Sequence, residues 1–231
     1  MIPLRDNVIS KRLPIVTWVL ILINVLVFVF MISLRPESQT QVIFTFGVVP
    51  SRLNLSQPLQ MLQQPEELLS LLTSQFLHAN WFHLLSNMWI LFIFGDNVED
   101  LMGKRRFLIF YLLSGFVANF AHAYAVPDTQ IPAVGASGAI AGVLGAYFLL
   151  FPHARVQTVV FIFIIPWFIQ IPAVLYLGVW FIMQLSQGLI DVDQSVGGVA
   201  WWAHIGGFVF GLVAVHVFVQ RKRLSSKFEN W

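Results

Sequence analysis

The sequence predicts an all-α, polytopic membrane protein that folds as a bundle of six transmembrane helices. The first observation is composition: 58% of the 231 residues are hydrophobic and 10% are charged, with a mean hydropathy of +0.77. An average soluble domain is about half apolar and about a quarter charged, so this composition indicates a membrane protein. The absence of cysteine excludes disulfides, thiolate metal sites and a cysteine nucleophile.

The second observation is a set of apolar segments of the length that can cross a bilayer. In order, the six predicted spans cover residues 14–34, 80–101, 107–126, 135–151, 171–187 and 199–219. Residues 35–79 form a predicted outer loop, in which Pro65–Leu72 fits a short interfacial helix with proline at its first position. The apolar run 156–185 is too long for one span, so its first half is expected at the membrane interface. We expect residues 1–231 to form a single membrane domain.

The third observation is the distribution of basic residues. Six spans place both termini on one side, and 11 of the 13 Lys and Arg residues then fall on that side. They are Arg5, Lys11, Arg12, Lys104, Arg105, Arg106, Arg155, Arg221, Lys222, Arg223 and Lys227. The positive-inside rule makes that face cytoplasmic. With no transit peptide or extra domain, the expected location is a prokaryotic plasma (inner) membrane. The basic clusters flank spans, so no nucleic-acid partner is expected.

Four polar side chains are expected at one depth near the outer face. Spans two, four and six begin there, and each carries polar residues about one to two turns from its start. These residues are His83 and Asn87, then Ser137, then His204. Polar groups inside spans are costly, so each is a functional hypothesis by default. We therefore expect the four to meet in a shallow cavity that opens outward.

Ser137 is the candidate nucleophile. It lies at the start of the fourth span within Gly135–Gly138, and Gly142 follows on the same helix. Small residues at this spacing also serve plain helix packing, which is the alternative interpretation. Unpaired backbone N–H groups at a helix start can, however, hold an oxyanion.

His204 is the candidate base for that serine. Gly207 and Gly211 lie on its general helix face and would bring its backbone close to a neighbouring helix. If that neighbour is the fourth span, the imidazole and the hydroxyl come within hydrogen-bond reach. Serine is a weak nucleophile and needs such a base near neutral pH. A lone histidine in a span also fits a packing role.

His83 and Asn87 are candidate oxyanion donors. They are four residues apart, share one helix face, and can both donate hydrogen bonds. A purely structural interhelical pair is the alternative. Toward the inner end of span two lie Asp96, Glu99 and Asp100. In loops lie Asp128, Asp191 and Asp193. The sequence therefore predicts a Ser–His dyad with no carboxylate.

In this order and spacing the residues resemble the rhomboid family of intramembrane serine proteases, over about Pro14–Val219. The motifs are His78-Ala79-Asn80-Trp81-Phe82-His83 with Asn87, Gly95 and Glu99, then Gly135-Ala136-Ser137-Gly138 with Gly142, then Ala203-His204 with Gly207 and Gly211. The resemblance implies that Ser137 attacks a peptide bond and that His204 activates it. It implies an oxyanion hole formed by His83, Asn87 and the backbone N–H of Ser137. The implied partners are transmembrane protein substrates and the lipid bilayer, with no metal or other cofactor.

The resemblance also suggests where substrate enters, and this chain departs from the family at two places. By analogy, Trp180 and Phe181 on span five would line a lateral substrate entrance. Many relatives carry an aromatic residue four positions after the nucleophile, stacked on the catalytic histidine, whereas this chain has Ala141. His204 must then be oriented in another way, for which Trp201 or Trp202 are candidates. The first loop lacks the family's Trp-Arg pair, although its Phe-Gly-Val-Val-Pro stretch is family-like.

Two rival functions stay open. A non-catalytic, rhomboid-like membrane chaperone or adaptor would typically lack the serine or the histidine, and this chain keeps both. A membrane protein that binds a metal through His78, His83 and His204 would lack the usual H-E-x-x-H pattern and any nearby acid. The remaining histidines, His122, His153 and His216, are expected at other depths than the four candidate site residues, which suits packing or interfacial roles.

Overall fold

The helices at the six predicted spans follow the predicted order along the chain. The computed structural model describes residues 1–53, 63–190, 198–220 and 223. In chain order the elements are strand β1 (Ile2–Asp6), helices α1 (Ile15–Ser33), α2 (Pro36–Phe46), α3 (Pro65–Thr73), α4 (Trp81–Met102), α5 (Lys104–Ala125) and α6 (Ser137–Leu150), strands β2 (Arg155–Ile162) and β3 (Ile165–Pro172), and helices α7 (Ala173–Ile190) and α8 (Trp201–Phe218). Single 3₁₀ turns occupy Pro50–Arg52 and Ser74–Phe76.

A helix lies at each of the six predicted spans. By length and apolar composition, α1, α5, α7 and α8 could each cross a membrane. The chain is therefore a mostly helical membrane protein. Helix α6 is apolar but only 14 residues long, and the far end of α4 is acidic, so the count of six spans stays a prediction. The short helix predicted at Pro65–Leu72 is confirmed as α3, with proline in its first turn.

The prediction of an all-helical fold is corrected by a three-stranded antiparallel sheet in the order β1-β2-β3. Its hairpin β2–β3 occupies the first half of the long apolar run, with Ile162 paired to Ile165 across a two-residue turn. β-branched and aromatic residues dominate this stretch and favour strands, and its two prolines disfavour a helix. At the turn, Phe163 and Ile164 are 96% and 91% exposed.

Helices α6 and α8 approach each other through the glycines noted in the sequence. A Cβ added at Gly207 would overlap the carbonyl oxygen of Gly138, and one at Gly211 would overlap that of Gly142. The helix that the glycines of the sixth span approach, which the sequence left open, is the fourth span. Because the backbones touch, side chains at the starts of the two helices come within reach of each other.

The acidic end of α4 anchors the start of α1. The carboxylate of Glu99, which is buried, accepts hydrogen bonds from the backbone N–H groups of Val16 at 3.0 Å and Thr17 at 2.8 Å. It also accepts one from the hydroxyl of Thr17 at 2.9 Å. The first N–H groups of a helix have no intrahelical partners, and their dipoles favour a negative charge. Glu99 therefore stabilises the bundle at the end opposite the candidate site.

Candidate active site

Ser137 is the first residue of α6, directly after a loop whose shape depends on glycine. Gly135 has φ of +128°, a conformation that other residues rarely adopt. A Cβ at this position would lie 2.7 Å from the ring of His83. The backbone N–H of Gly135 donates to the carbonyl of Ser74 at 2.9 Å, which holds the loop in place. Ser137 is thus presented at a helix start, where backbone N–H groups are free.

His204 lies in the first turn of α8, opposite Ser137. Its Nε2 is 2.8 Å from the Oγ of Ser137, which is hydrogen-bond distance. The imidazole is 9% exposed. The contact follows from the glycine-mediated approach of the two helices, so the residues predicted as nucleophile and base are brought together.

The other ring nitrogen of His204 meets a residue that the sequence analysis missed. Its Nδ1 lies 2.6 Å from the Oε1 of Gln184 on α7. An amide oxygen can only accept, so Nδ1 carries the proton and Nε2 is left to accept the proton of the Ser137 hydroxyl. The one available signal was a polar side chain inside a largely apolar helix.

Two tryptophans flank the His204 ring. Trp180 of α7 lies with its ring centroid 5.9 Å away and its plane tilted by 34°. Trp201, one of the two tryptophans proposed from sequence, packs edge-on at 6.2 Å. The other, Trp202, lies near Gly188 of α7. The aromatic neighbour absent at Ala141 is therefore supplied by other elements.

All four predicted site residues line one cavity of about 480 Å³, at the end of the bundle where α4, α6 and α8 begin. A smaller crevice of about 150 Å³ opens onto Ser137 and His204 from between α4 and α7. Trp180 lines this crevice, whereas Phe181, the other predicted gate residue, stacks on Phe208 of α8. Among the described residues that line the two cavities, none is acidic. Asp191 and Asp193 lie outside the described residues.

Asn87 has a buried, unused donor in this cavity. Its Nδ2 is without a hydrogen-bond acceptor within the described part of the chain. The neighbouring His83 lies in the first turn of α4, where its backbone N–H donates to the side chain of Asn80 at 2.9 Å. That bond is a helix N-cap, which fixes the start of α4 and with it the face that carries both residues.

His78 packs behind the site rather than in it. Its ring contacts that of His83 edge-on, with 5.1 Å between centroids. Burial, with a smaller contribution from His83, lowers the pKa of His78 to about 3. The ring is therefore neutral at physiological pH. In residues 1–53, 63–190, 198–220 and 223, no group of three His, Cys, Asp or Glu side chains could hold a metal ion.

His122 was assigned a packing or interfacial role from sequence, at a different depth from the candidate site. The structure corrects this assignment and places it beside the site residues. It lies three residues before the end of α5 and lines the same cavity as Ser137. Helix α5 runs toward the site end of the bundle, so its last turn returns to the depth of His83. The predicted topology contained this information.

Comparison with known proteins identifies the family. A model described as "Rhomboid domain" matches residues 65–221. The chain is 28% identical to "Rhomboid protein 1, mitochondrial" of Saccharomyces cerevisiae over 151 residues, 63% of this chain and 40% of the relative. It is 29% identical to "Presenilin-associated rhomboid-like protein, mitochondrial" of Homo sapiens over 150 residues, 62% of this chain and 36% of the relative. A Bacillus subtilis protein named as a candidate rhomboid protease is 40% identical over 80 residues, 35% of this chain and 40% of the relative. The chain thus spans about two fifths of the length of these relatives, and it belongs to the rhomboid family.

Proposed function

We propose that this chain is an intramembrane serine endopeptidase that cleaves transmembrane proteins in or near their membrane segment. The observation that carries the proposal is the 2.8 Å contact between Ser137 Oγ and His204 Nε2 inside a cavity. A serine hydroxyl hydrogen-bonded to a neutral imidazole nitrogen is the arrangement that activates serine as a nucleophile.

The reaction proceeds by acyl transfer. Ser137 Oγ bonds to the carbonyl carbon of the scissile peptide as its proton passes to His204 Nε2. The carbon–nitrogen bond then breaks, and Nε2 returns the proton to the departing amine, which leaves an ester on Ser137. Water, deprotonated by the same nitrogen, hydrolyses the ester and frees the serine.

The oxyanion of each tetrahedral intermediate needs donors that are already in place. Asn87 Nδ2 is buried in the cavity with its donor unused. The backbone N–H of Ser137 is one of the free groups at the start of α6. His83 lines the same wall and supplies the third donor in this proposal.

Membrane substrates and topology form the finer part of the proposal. The crevice between α4 and α7 leads sideways from the helix surface to the dyad, which suits a substrate that arrives from the bilayer. In this proposal Trp180 belongs to the wall of that entrance, whereas Phe181, which packs on Phe208, does not. The helices at the six predicted spans, α1 and α4 to α8, all cross the membrane in this proposal. Both termini then lie on the basic, cytoplasmic face. The relatives include mitochondrial and bacterial proteins, so the comparisons give no support to a prokaryotic plasma membrane in particular.

A fluorophosphonate probe tests the proposal without knowledge of the substrate. The detergent-solubilised chain should be labelled at Ser137, and labelling should be lost in Ser137→Ala and His204→Ala. The matched control is Ser186→Ala on α7, an exposed serine whose hydroxyl bonds only to the carbonyl of Ile182 among the contacts described. The control should label like the wild type.

The same experiment tests the alternative that this chain is a non-catalytic member of the family. Folded wild-type protein that takes up no probe would overturn the proposed activity in favour of an adaptor or chaperone. Labelling that persists in Ser137→Ala would place the reactive serine elsewhere.

A further inference from the structure

We propose that Gln184 is a positioning residue that fixes the tautomer and orientation of His204. The proposed dyad is then completed by a third, uncharged side chain from α7. This inference rests on the proposed function, because positioning matters only if His204 acts as a base.

The geometry around the amide fixes its direction. Gln184 Nε2 lies 3.4 Å from the backbone carbonyl of Trp180, one helical turn earlier. A carbonyl can only accept, so the amide nitrogen faces it and the oxygen faces Nδ1 of His204, 2.6 Å away. Gln184 and His204 are 7% and 9% exposed, so little solvent competes for this bond.

A hydrogen bond at Nδ1 determines which neutral tautomer the base adopts. Neutral imidazole exists as two tautomers, and only the Nδ1–H form presents a lone pair at Nε2 to the serine. Without an acceptor at Nδ1, the other tautomer becomes populated and the ring is free to rotate. An acceptor held by α7 prevents both losses.

An amide does this task without the charge that a carboxylate would bring. Within the described residues, His83 from α4 and His122 from α5 are the titratable groups that act electrostatically on His204. Tyr176 from α7 lines the crevice beside it, and Gln184 from α7 is neutral. A carboxylate in place of the amide would stabilise the protonated imidazolium relative to the neutral base. Trp180, which packs beside the imidazole, restricts its remaining freedom.

The test measures the rate constant of fluorophosphonate labelling against pH in wild type, Gln184→Met and Gln184→Glu, with Ser186→Ala as the control. Methionine keeps the length of the side chain but removes the oxygen, so labelling should slow by about tenfold or more. Glutamate keeps an acceptor, so labelling should stay within about threefold of wild type at its optimum. Its pH profile should move to higher pH, because the negative carboxylate stabilises the imidazolium and so opposes formation of the neutral base.

A second measurement reads the tautomer without relying on activity. In ¹⁵N-histidine-labelled protein, His204 should show the Nδ1–H form in wild type and Gln184→Glu, and a mixture in Gln184→Met. Labelling that is lost in Ser137→Ala but unchanged in rate and pH profile in Gln184→Met would overturn this inference alone. Folded wild type that does not label would overturn the proposed function instead. If Gln184→Met does not fold, a wild-type spectrum with Nε2 protonated would by itself overturn the inference.

Discussion

Gly207 of α8 lies so close to the carbonyl oxygen of Gly138 in α6 that no Cβ would fit between them. The same contact places His204, one turn earlier, opposite Ser137 at the start of α6. Packing and chemistry are therefore coupled at this helix pair: a change that separates the backbones also separates the base from the nucleophile.

Gly207→Ala should lower both stability and labelling. Overpacking of a close contact costs about 1–3 kcal/mol, and the shift of α8 would lengthen the hydrogen bond between Ser137 and His204. Gly178→Ala on α7 is the control, because its Cβ would meet only Phe148 at 3.8 Å, an ordinary contact. Thermal melting in detergent and probe labelling measure the two effects. If Gly207→Ala were labelled at the wild-type rate, the coupling of packing and chemistry at this helix pair would be contradicted.

Asn87→Ala should impair turnover without abolishing it. Loss of one oxyanion donor costs about 3 kcal/mol of transition-state stabilisation, or roughly a hundredfold in rate. Asn24→Ala, which removes a buried asparagine from α1, separates this effect from a general loss of stability. The measurement is steady-state cleavage of a transmembrane substrate with both variants folded. An unchanged kcat in Asn87→Ala would remove the residue from the oxyanion hole.

Glu99→Ala should destabilise the bundle and leave the chemistry of the folded fraction intact. The substitution would leave two backbone N–H groups and the Thr17 hydroxyl at the start of α1 without their hydrogen-bond acceptor. The free energy of unfolding should fall by about 3 kcal/mol or more. Glu99→Gln keeps an acceptor oxygen and should lose less. Glu37→Ala, at an exposed site on α2, should change stability by less than about 0.5 kcal/mol. Unfolding in SDS mixed micelles provides the comparison, and equal stability of Glu99→Ala and wild type would contradict the anchoring role.

The β2–β3 hairpin should contact lipid. Its turn exposes Phe163 and Ile164, and the sequence carries no charge from Val156 to Ile190. Such an apolar surface favours the membrane interface over water. Because the chain has no cysteine, Phe163→Cys can carry a single fluorescent label in liposomes. We expect quenching by lipid-borne but not aqueous quenchers, with Asp128→Cys, in an exposed loop, as the control that behaves oppositely.

A label at Phe163→Cys that is quenched only from water would contradict the interfacial position predicted for this segment. Protection from both quenchers would indicate a protein partner at the hairpin, such as a second copy paired along the free edge of β3.

Much of the helical framework was predictable because lipid imposes simple requirements. Apolar runs of sufficient length mark the helices, and Ser137, His204 and Asn87 stood out as polar groups within them. The hairpin was missed because a short apolar run has the same hydropathy in a strand as in a helix. Only its β-branched residues and prolines distinguish the two structures. His122 was missed because its depth on α5 was not followed through the predicted topology.

The sequence by itself determined the membrane character, the positions of the helices and the polar residues that converge at one end. It did so because hydropathy, segment length and glycine spacing are properties of the chain alone. Only the tertiary structure decided which groups surround His204. Helices α7 and α8 are apolar around most of their circumference, so hydropathy alone does not fix how each is rotated about its axis. The bond between Gln184 and His204 depends on that rotation, and packing sets it.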